Sequence, residues 1–209
     1  MYIHRTRLTP ALGKAPEAKT LVADHVRHLQ RQGQRLALSE RILSSEPPTL
    51  IVSHLADDLA EIEAVRRARL TDEDFRTRAA RTAALLSEPP RSTLWEGIVD
   101  PQVGPPPTAI GQLAFIFPAT GKDSQVVAIA SEFVGELRKL GQRASLLRQI
   151  YSSDGSRLQI MIRYADLAEL DRARKARSEI AQRATAAVAE ITRAPIEQRL
   201  TETIVALPA

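Results

Sequence analysis

The chain contains no cysteine, which removes disulfides, thiolate-held zinc and cysteine nucleophiles in one step. Aromatic residues are 4% of its 209 positions, too few for the stacking platforms that hold single-stranded nucleic acid. Lys and Arg number 29 against 25 Asp and Glu, leaving a net charge of only +4, so no broad basic field faces a phosphate backbone. Nucleic acid is therefore not an expected partner, and the run Arg172, Arg174, Lys175, Arg177 reads as a solvated helix face. No apolar run approaches the length of a bilayer span, and the opening MYIHRTRLTP lacks the apolar stretch of a signal peptide. No membrane is expected, and the cytoplasm is the expected location. What remains is ample: 44% apolar residues can build a sizeable core.

The tetrapeptide DLAE occurs twice, at Asp58–Glu61 and at Asp166–Glu169, 108 residues apart. The same offset carries Pro10–Lys14 (PALGK) onto Pro118–Lys122 (PATGK) and Gly33-Gln34-Arg35 onto Gly141-Gln142-Arg143. It also joins Ile42 to Ile150, Leu50 to Leu158, and Arg66, Ala68 and Arg69 to Arg174, Ala176 and Arg177. Later in the chain the offset shortens to 106, so that Pro89, Leu94, Glu96, Ile98 and Val99 meet Pro195, Leu200, Glu202, Ile204 and Val205. A collinear string of this kind reads as an internal duplication. Between the copies lies DPQVGPPPTA, Asp100 to Ala109, whose prolines favour an extended spacer. The expected organisation is a first unit over 1–99, a proline-rich linker over 100–111 and a second unit over 112–209.

Each copy reads strand, helix, strand, strand, helix, strand. In the first, MYIHRTRLT is a strand, Ala15 to Gln32 a helix, RLALSERIL and TLIVSH two further strands. Asp57 to Leu86 is a long helical stretch broken near LTDED, where Thr71 is the expected cap, and STLWEGIV closes the unit. DLAE opens the second helix, with Asp58 and Asp166 near its positive end and Leu59 and Leu167 turned inward. The order βαββαβ with right-handed crossovers is ferredoxin-like, with strand order 4-1-3-2 and both helices on one face. The fold class is thus α+β, two tandem ferredoxin-like βαββαβ units that cover each other's sheets as an intramolecular pseudo-dimeric α+β barrel.

The run HLADDLAEIEAVRRARLTDEDFRTRAARTAALL, set between a third strand and a closing strand with Trp95, resembles the dimeric α+β barrel superfamily and, within it, NIPSNAP-like domains. The resemblance implies a barrel made within one chain and an activity of monooxygenase or isomerase type, without a cofactor. The second half departs from the pattern, because Asp74-Phe75 has no counterpart there.

Alternation along the strands places the candidate chemistry. Glu40 lies between Leu38 and Ile42, His54 follows Leu50 and Val52, Glu96 lies between Leu94 and Ile98, and His4 shares parity with Tyr2 and Leu8. In the 4-1-3-2 order these form the row Glu96, His4, His54, Glu40. Copy two carries Glu202, Gln112, Ile162 and Arg148 instead, where Arg148 is expected to pair with Glu202. Two imidazoles and two carboxylates suit an acid/base pair for proton abstraction, or an iron, manganese or zinc ion; the metal-free reading is preferred. Trp95, Arg148, Glu202 and Tyr151 are candidate ligand-binding residues, and Tyr164 and Arg163 candidate rim residues of a second cleft. His25 and His28 are read as an interior edge and a surface residue. The expected function is that of a small-molecule-binding protein or cofactor-independent enzyme with its pocket in the first copy. The alternative is a non-catalytic scaffold or self-association module, including a homodimer.

Overall fold

The computed structural model describes residues 1–99, 109–150 and 156–208. The expected linker prolines fall at 100–108, outside the described residues. Along the chain run β1 (Tyr2–Leu8), α1 (Ala15–Arg31), β2 (Leu36–Ile42), β3 (Leu50–Ala56), α2 (Leu59–Thr71), α3 (Glu73–Ala83) and β4 (Arg91–Val99). Then follow β5 (Ile110–Ile116), α4 (Asp123–Lys139), β6 (Arg143–Ile150), β7 (Leu158–Tyr164), α5 (Leu167–Ala176), α6 (Ser178–Ala189) and β8 (Glu197–Val205). β5 begins inside the segment read as linker. The hydrogen-bonded strand order closes as a barrel, β1-β3-β2-β8-β5-β7-β6-β4. Two compact units divide the chain. Unit 1 is Met1–Leu94 with Glu202–Ala209, and unit 2 is Trp95–Thr201.

In unit 1, β3 is antiparallel to both β1 and β2. α1 starts with Pro16 in its first turn, where the missing N–H costs nothing, and buries Ala18, Val22, Val26 and Leu29 along one stripe. That stripe meets Leu8, Leu36, Leu38 and Leu50 in a single core, with Phe75 at its edge. Burying one such Leu or Val stabilises by about 1.5–3 kcal/mol. The helix stops at Gly33, whose φ of +86° only glycine adopts freely, and Gln34 N–H returns to Leu29 O.

Unit 2 uses the same grammar. α4 buries Val126, Ala130, Val134 and Leu137, Gly141 stops it at φ +75°, and Gln142 N–H returns to Leu137 O. β7 is antiparallel to β5 and β6. Isolated bridges join Pro10 to Leu86 in unit 1 and Pro118 to Thr192 in unit 2.

DLAE is a helix start in both places. Asp58 accepts from Glu61 N–H and Asp166 from Glu169 N–H, while the two glutamates accept from Asp57 N–H and Ala165 N–H. This is a reciprocal cap. Two expectations need correction. Leu59 and Leu167 do not turn inward; they are 42% and 47% exposed, because a first-turn residue beside the cap points away from the sheet, and α2 buries no residue at all. The break in the long helix is made by Asp72, which accepts from Phe75 N–H, whereas Thr71 bonds back to Ala68 O as the last residue of α2. The corresponding stretch of unit 2 also breaks, at Arg177.

Loss of a capping carboxylate typically costs about 1 kcal/mol. Asp58→Ala is expected to lower the unfolding free energy by about that much in urea titrations, while Leu59→Ser stays within about 0.5 kcal/mol of the parent.

Candidate functional site: the imidazole and arginine cluster of unit 1

The residues Leu50, Val52 and His54 share one face of β3, and Leu50 belongs to the core beneath α1. His54 therefore looks toward the helices, and it is only 3% exposed. On β1 the residue directly opposite it is His4. Two imidazoles thus stand side by side on the helix-facing surface of the sheet.

Arg69, on α2, completes the group. Its Nη2 donates to Gln34 Oε1 at 2.6 Å, its guanidinium carbon lies 5.3 Å from the centre of the Phe75 ring, and its Nε is buried with no partner. Burial holds its pKa below the usual arginine value. His25, on α1, meets the same Phe75 ring edge-on, with centroids 5.1 Å apart. The Nε2 atoms of His25 and His54 are both buried and unpartnered.

All three histidines are pushed toward the neutral form. Burial lowers His54 to about 4, helped by Arg69, His4 and Arg35 and opposed by Glu61. Burial also lowers His25 to about 4, followed by Arg69, Arg78 and His28, with Asp72 opposing. His4 is lowered by burial and then by Arg69. A neutral imidazole keeps one donor and one acceptor nitrogen, so the cluster can bind, donate a hydrogen bond or take up a proton.

The remaining sequence candidates are placed elsewhere. Glu40 faces the helices as expected, but its Oε2 receives Lys19 Nζ at 2.6 Å. In the β2–β3 register His54 stands opposite Leu36 and Glu40 opposite Leu50, so Glu40 is four residues, or about 13 Å, along the strand from the imidazoles. Glu96 accepts from Arg148 Nη2 at 2.5 Å within unit 2. The expected pair Arg148–Glu202 is thus replaced by Arg148–Glu96, and Glu202 is exposed. The cause is strand order: β5 and β7 stand between β8 and β6, and β4 is the strand beside β6, so Arg148 on β6 has no neighbour on β8. Trp95 is buried, with its ring 6.2 Å from that of Phe115. Tyr151 lies outside the described residues. Among the described residues no three His, Asp or Glu side chains are grouped so as to hold a metal ion.

Unit 2 has its own buried arginine, correcting two further expectations. Arg177 is not on a solvated face but 5% exposed, and Tyr164 is not at a rim but 1% exposed. Arg177 donates to Tyr164 Oη, Gln112 Oε1 and Gln142 Oε1, and Gln112 Nε2 donates to Gln198 Oε1 at 3.1 Å. Separately, α4 and α6 of unit 2 border a groove of about 160 Å³ lined by Ile129, Phe133, Ile180 and Ala184, with Arg183 3.7 Å from Glu136 at its side.

In the sequence Arg69 and Arg177 pair across the 108-residue offset, but the pattern does not place either of them under the helices. The usable signal was that an arginine recurs at this place on a helix next to a recurring Gly-Gln-Arg.

No protein-family model matches the chain, and no curated protein matches it. Solved structures do. A candidate monooxygenase from Fusobacterium nucleatum superposes with a TM-score of 0.78 at 11% identity, over 99% of this chain and 93% of its own. A candidate monooxygenase from Lactobacillus acidophilus gives 0.69 at 9% identity, over 100% and 99%. An anthrone oxidase-like protein gives 0.66 at 10% identity, over 98% and 92%. Together with the closed strand order and the six helices, these define an α+β fold of the dimeric α+β barrel class.

The buried imidazoles couple stability to pH. Between the ordinary histidine value of 6.5 and the folded value of about 4, the unfolded chain binds more protons than the folded one. Stability is fully present above that window and falls as pH drops through it. Histidine Cε1–H signals followed by NMR are expected to put His25 and His54 near pH 4, and urea midpoints are expected to decline from about pH 6.5 downward.

Proposed function

We propose that the chain is a small-molecule-binding protein, or a cofactor-independent enzyme of the dimeric α+β barrel type, with its site in the first copy around His54 and His4. The observation that carries the reading is the directly opposed pair His4 and His54, with an unpartnered, buried Nε2 on His54. A polar atom withdrawn from water without a partner costs free energy, and a bound molecule that supplies the partner recovers it. Neutral imidazoles beside a guanidinium suit proton abstraction from an acidic C–H or O–H, with the arginine holding the resulting charge. The monooxygenase or isomerase form of this reading rests on fold analogy, and Glu40 and Glu96 have auxiliary parts in it.

The duplication is part of the proposal. Units 1–99 and 112–209, joined by 100–111, descend from one βαββαβ ancestor. Equivalent caps, helix stops and buried stripes recur at the 108-residue offset, and the bridges to Leu86 and Thr192 recur at 106. Copy one keeps the site; copy two carries Gln112 and Ile162 at the histidine positions. Trp95 of copy one and Arg148, Glu202 and Tyr151 of copy two are the ligand-binding residues of this reading.

A scaffold or self-association role is favoured by a different observation. Leu12, Leu43 and Leu70 are 104%, 80% and 61% exposed, apolar surface that a partner or second copy would cover.

Native mass spectrometry of freshly purified protein, against the denatured mass, separates the two. The site reading expects an excess mass that is lost on denaturation and absent from His54→Ala but retained in Asp171→Asn. A bare dimer with no excess mass selects self-association.

A further inference from the structure

At the same place in its sequence each unit sets an arginine under its helices, the half-buried Arg69 in unit 1 and the buried Arg177 in unit 2, and only one of them is satisfied. Arg177 is closed by the unit's own oxygens: Tyr164 Oη, Gln112 Oε1 and Gln142 Oε1. At the offset of 108 these positions are Ala56, His4 and Gln34. Gln34 keeps its role. Ala56 has no polar atom, and His4, opposite His54, takes the place of the amide. Two acceptor oxygens have been deleted around Arg69, and its buried Nε has no partner. Among the described residues no carboxylate lies within ion-pair distance of it.

We propose that Arg69 anchors the carboxylate of a small monocarboxylate ligand, whose two oxygens take the places that Tyr164 Oη and Gln112 Oε1 fill in unit 2. The ligand class follows from the count of the missing oxygens, two, and from a guanidinium charge that no carboxylate of the described residues pairs. A planar guanidinium presents parallel N–H donors that match two oxygens on one carbon. His54 Nε2, 97% of whose residue is out of solvent and which has no partner of its own, supplies a further hydrogen bond. A second carboxylic acid from the protein would neutralise the arginine and exclude the ligand; none stands there. A dication is repelled by the arrangement, and a neutral ligand gains hydrogen bonds without the charge pairing. The inference rests on the reading of unit 1 as the ligand-binding unit and adds the charge and the anchor.

The test uses the full chain with benzoate as probe and benzamide as its neutral counterpart, observed through the arginine Nε–Hε and histidine Cε1–H NMR signals. Benzoate is expected to shift the Arg69 and His54 signals saturably and benzamide to leave them in place. Arg69→Gln is expected to weaken benzoate binding by about tenfold to a hundredfold, the worth of a charge-assisted pair, with Arg69→Lys between. A second variant works by filling: His4→Gln with Ala56→Tyr rebuilds the acceptor set of unit 2 and is expected to abolish binding while the circular dichroism of the fold is kept. Should that variant not fold, Arg69→Gln alone decides. No saturable shift with benzoate, or an unchanged affinity in Arg69→Gln, overturns the anchor. Equal shifts of His54 by benzoate and benzamide overturn the charge assignment and leave the unit 1 site standing. Shifts confined to unit 2 signals overturn both.

Discussion

A guanidinium taken out of water must find acceptors for five N–H donors, and each unit of this chain places one such group beneath its helices. The surrounding structure follows from that demand. In unit 2 a phenol and two amides are drawn inward to meet Arg177, which is why Tyr164 is buried and why Gln112 turns its oxygen toward the arginine and its nitrogen toward Gln198. In unit 1 the ring of Phe75 and the amide of Gln34 meet Arg69, and burial, aided by the arginine's charge, keeps three neighbouring imidazoles neutral. A polar cluster in a low dielectric is either completed by the protein or left for something else to complete.

Most of the fold was legible because it is written in short-range rules. An Asp followed three residues later by Glu specifies a reciprocal cap wherever it stands. Gly after an amphipathic run specifies a helix stop. Val126, Ala130, Val134 and Leu137 specify one buried stripe. Several of these signals stand twice, as in DLAE at Asp58–Glu61 and Asp166–Glu169. Boundaries suffered where two capping residues compete: Thr71 and Asp72 are both good caps, and the carboxylate of Asp72 accepts from Phe75 N–H.

The site was legible only in its aliphatic strands. On β1, β2 and β3 the alternation of large apolar residues fixes the faces, so His4, His54 and Glu40 were assigned to the right side. β4 and β8 carry apolar residues on both parities (Leu94 and Trp95, Ile204 and Val205), so alternation does not choose between them. Partner choice there turns on strand order, which faces alone do not give: β6 stands beside β4, and Arg148 meets Glu96. Distance along a strand was also invisible to a pattern that counts only faces: Glu40 has the correct parity and stands four residues too far on.

Arg69 and Arg177 were hidden for a different reason. Composition treats arginine as a surface residue, and a run such as RRARL or RARKAR looks solvated throughout. Yet α2 contributes no buried apolar side chain to the core, so its seating over β3 depends on what Arg69 does. A helix that contributes polarity in place of apolar area is weakly stabilised by packing, and its position is set by hydrogen bonds that a ligand can supply or withhold. Unit 2 shows the opposite case: Arg177 is held by three internal oxygens, so the junction of α5 and α6 is seated with no group from outside.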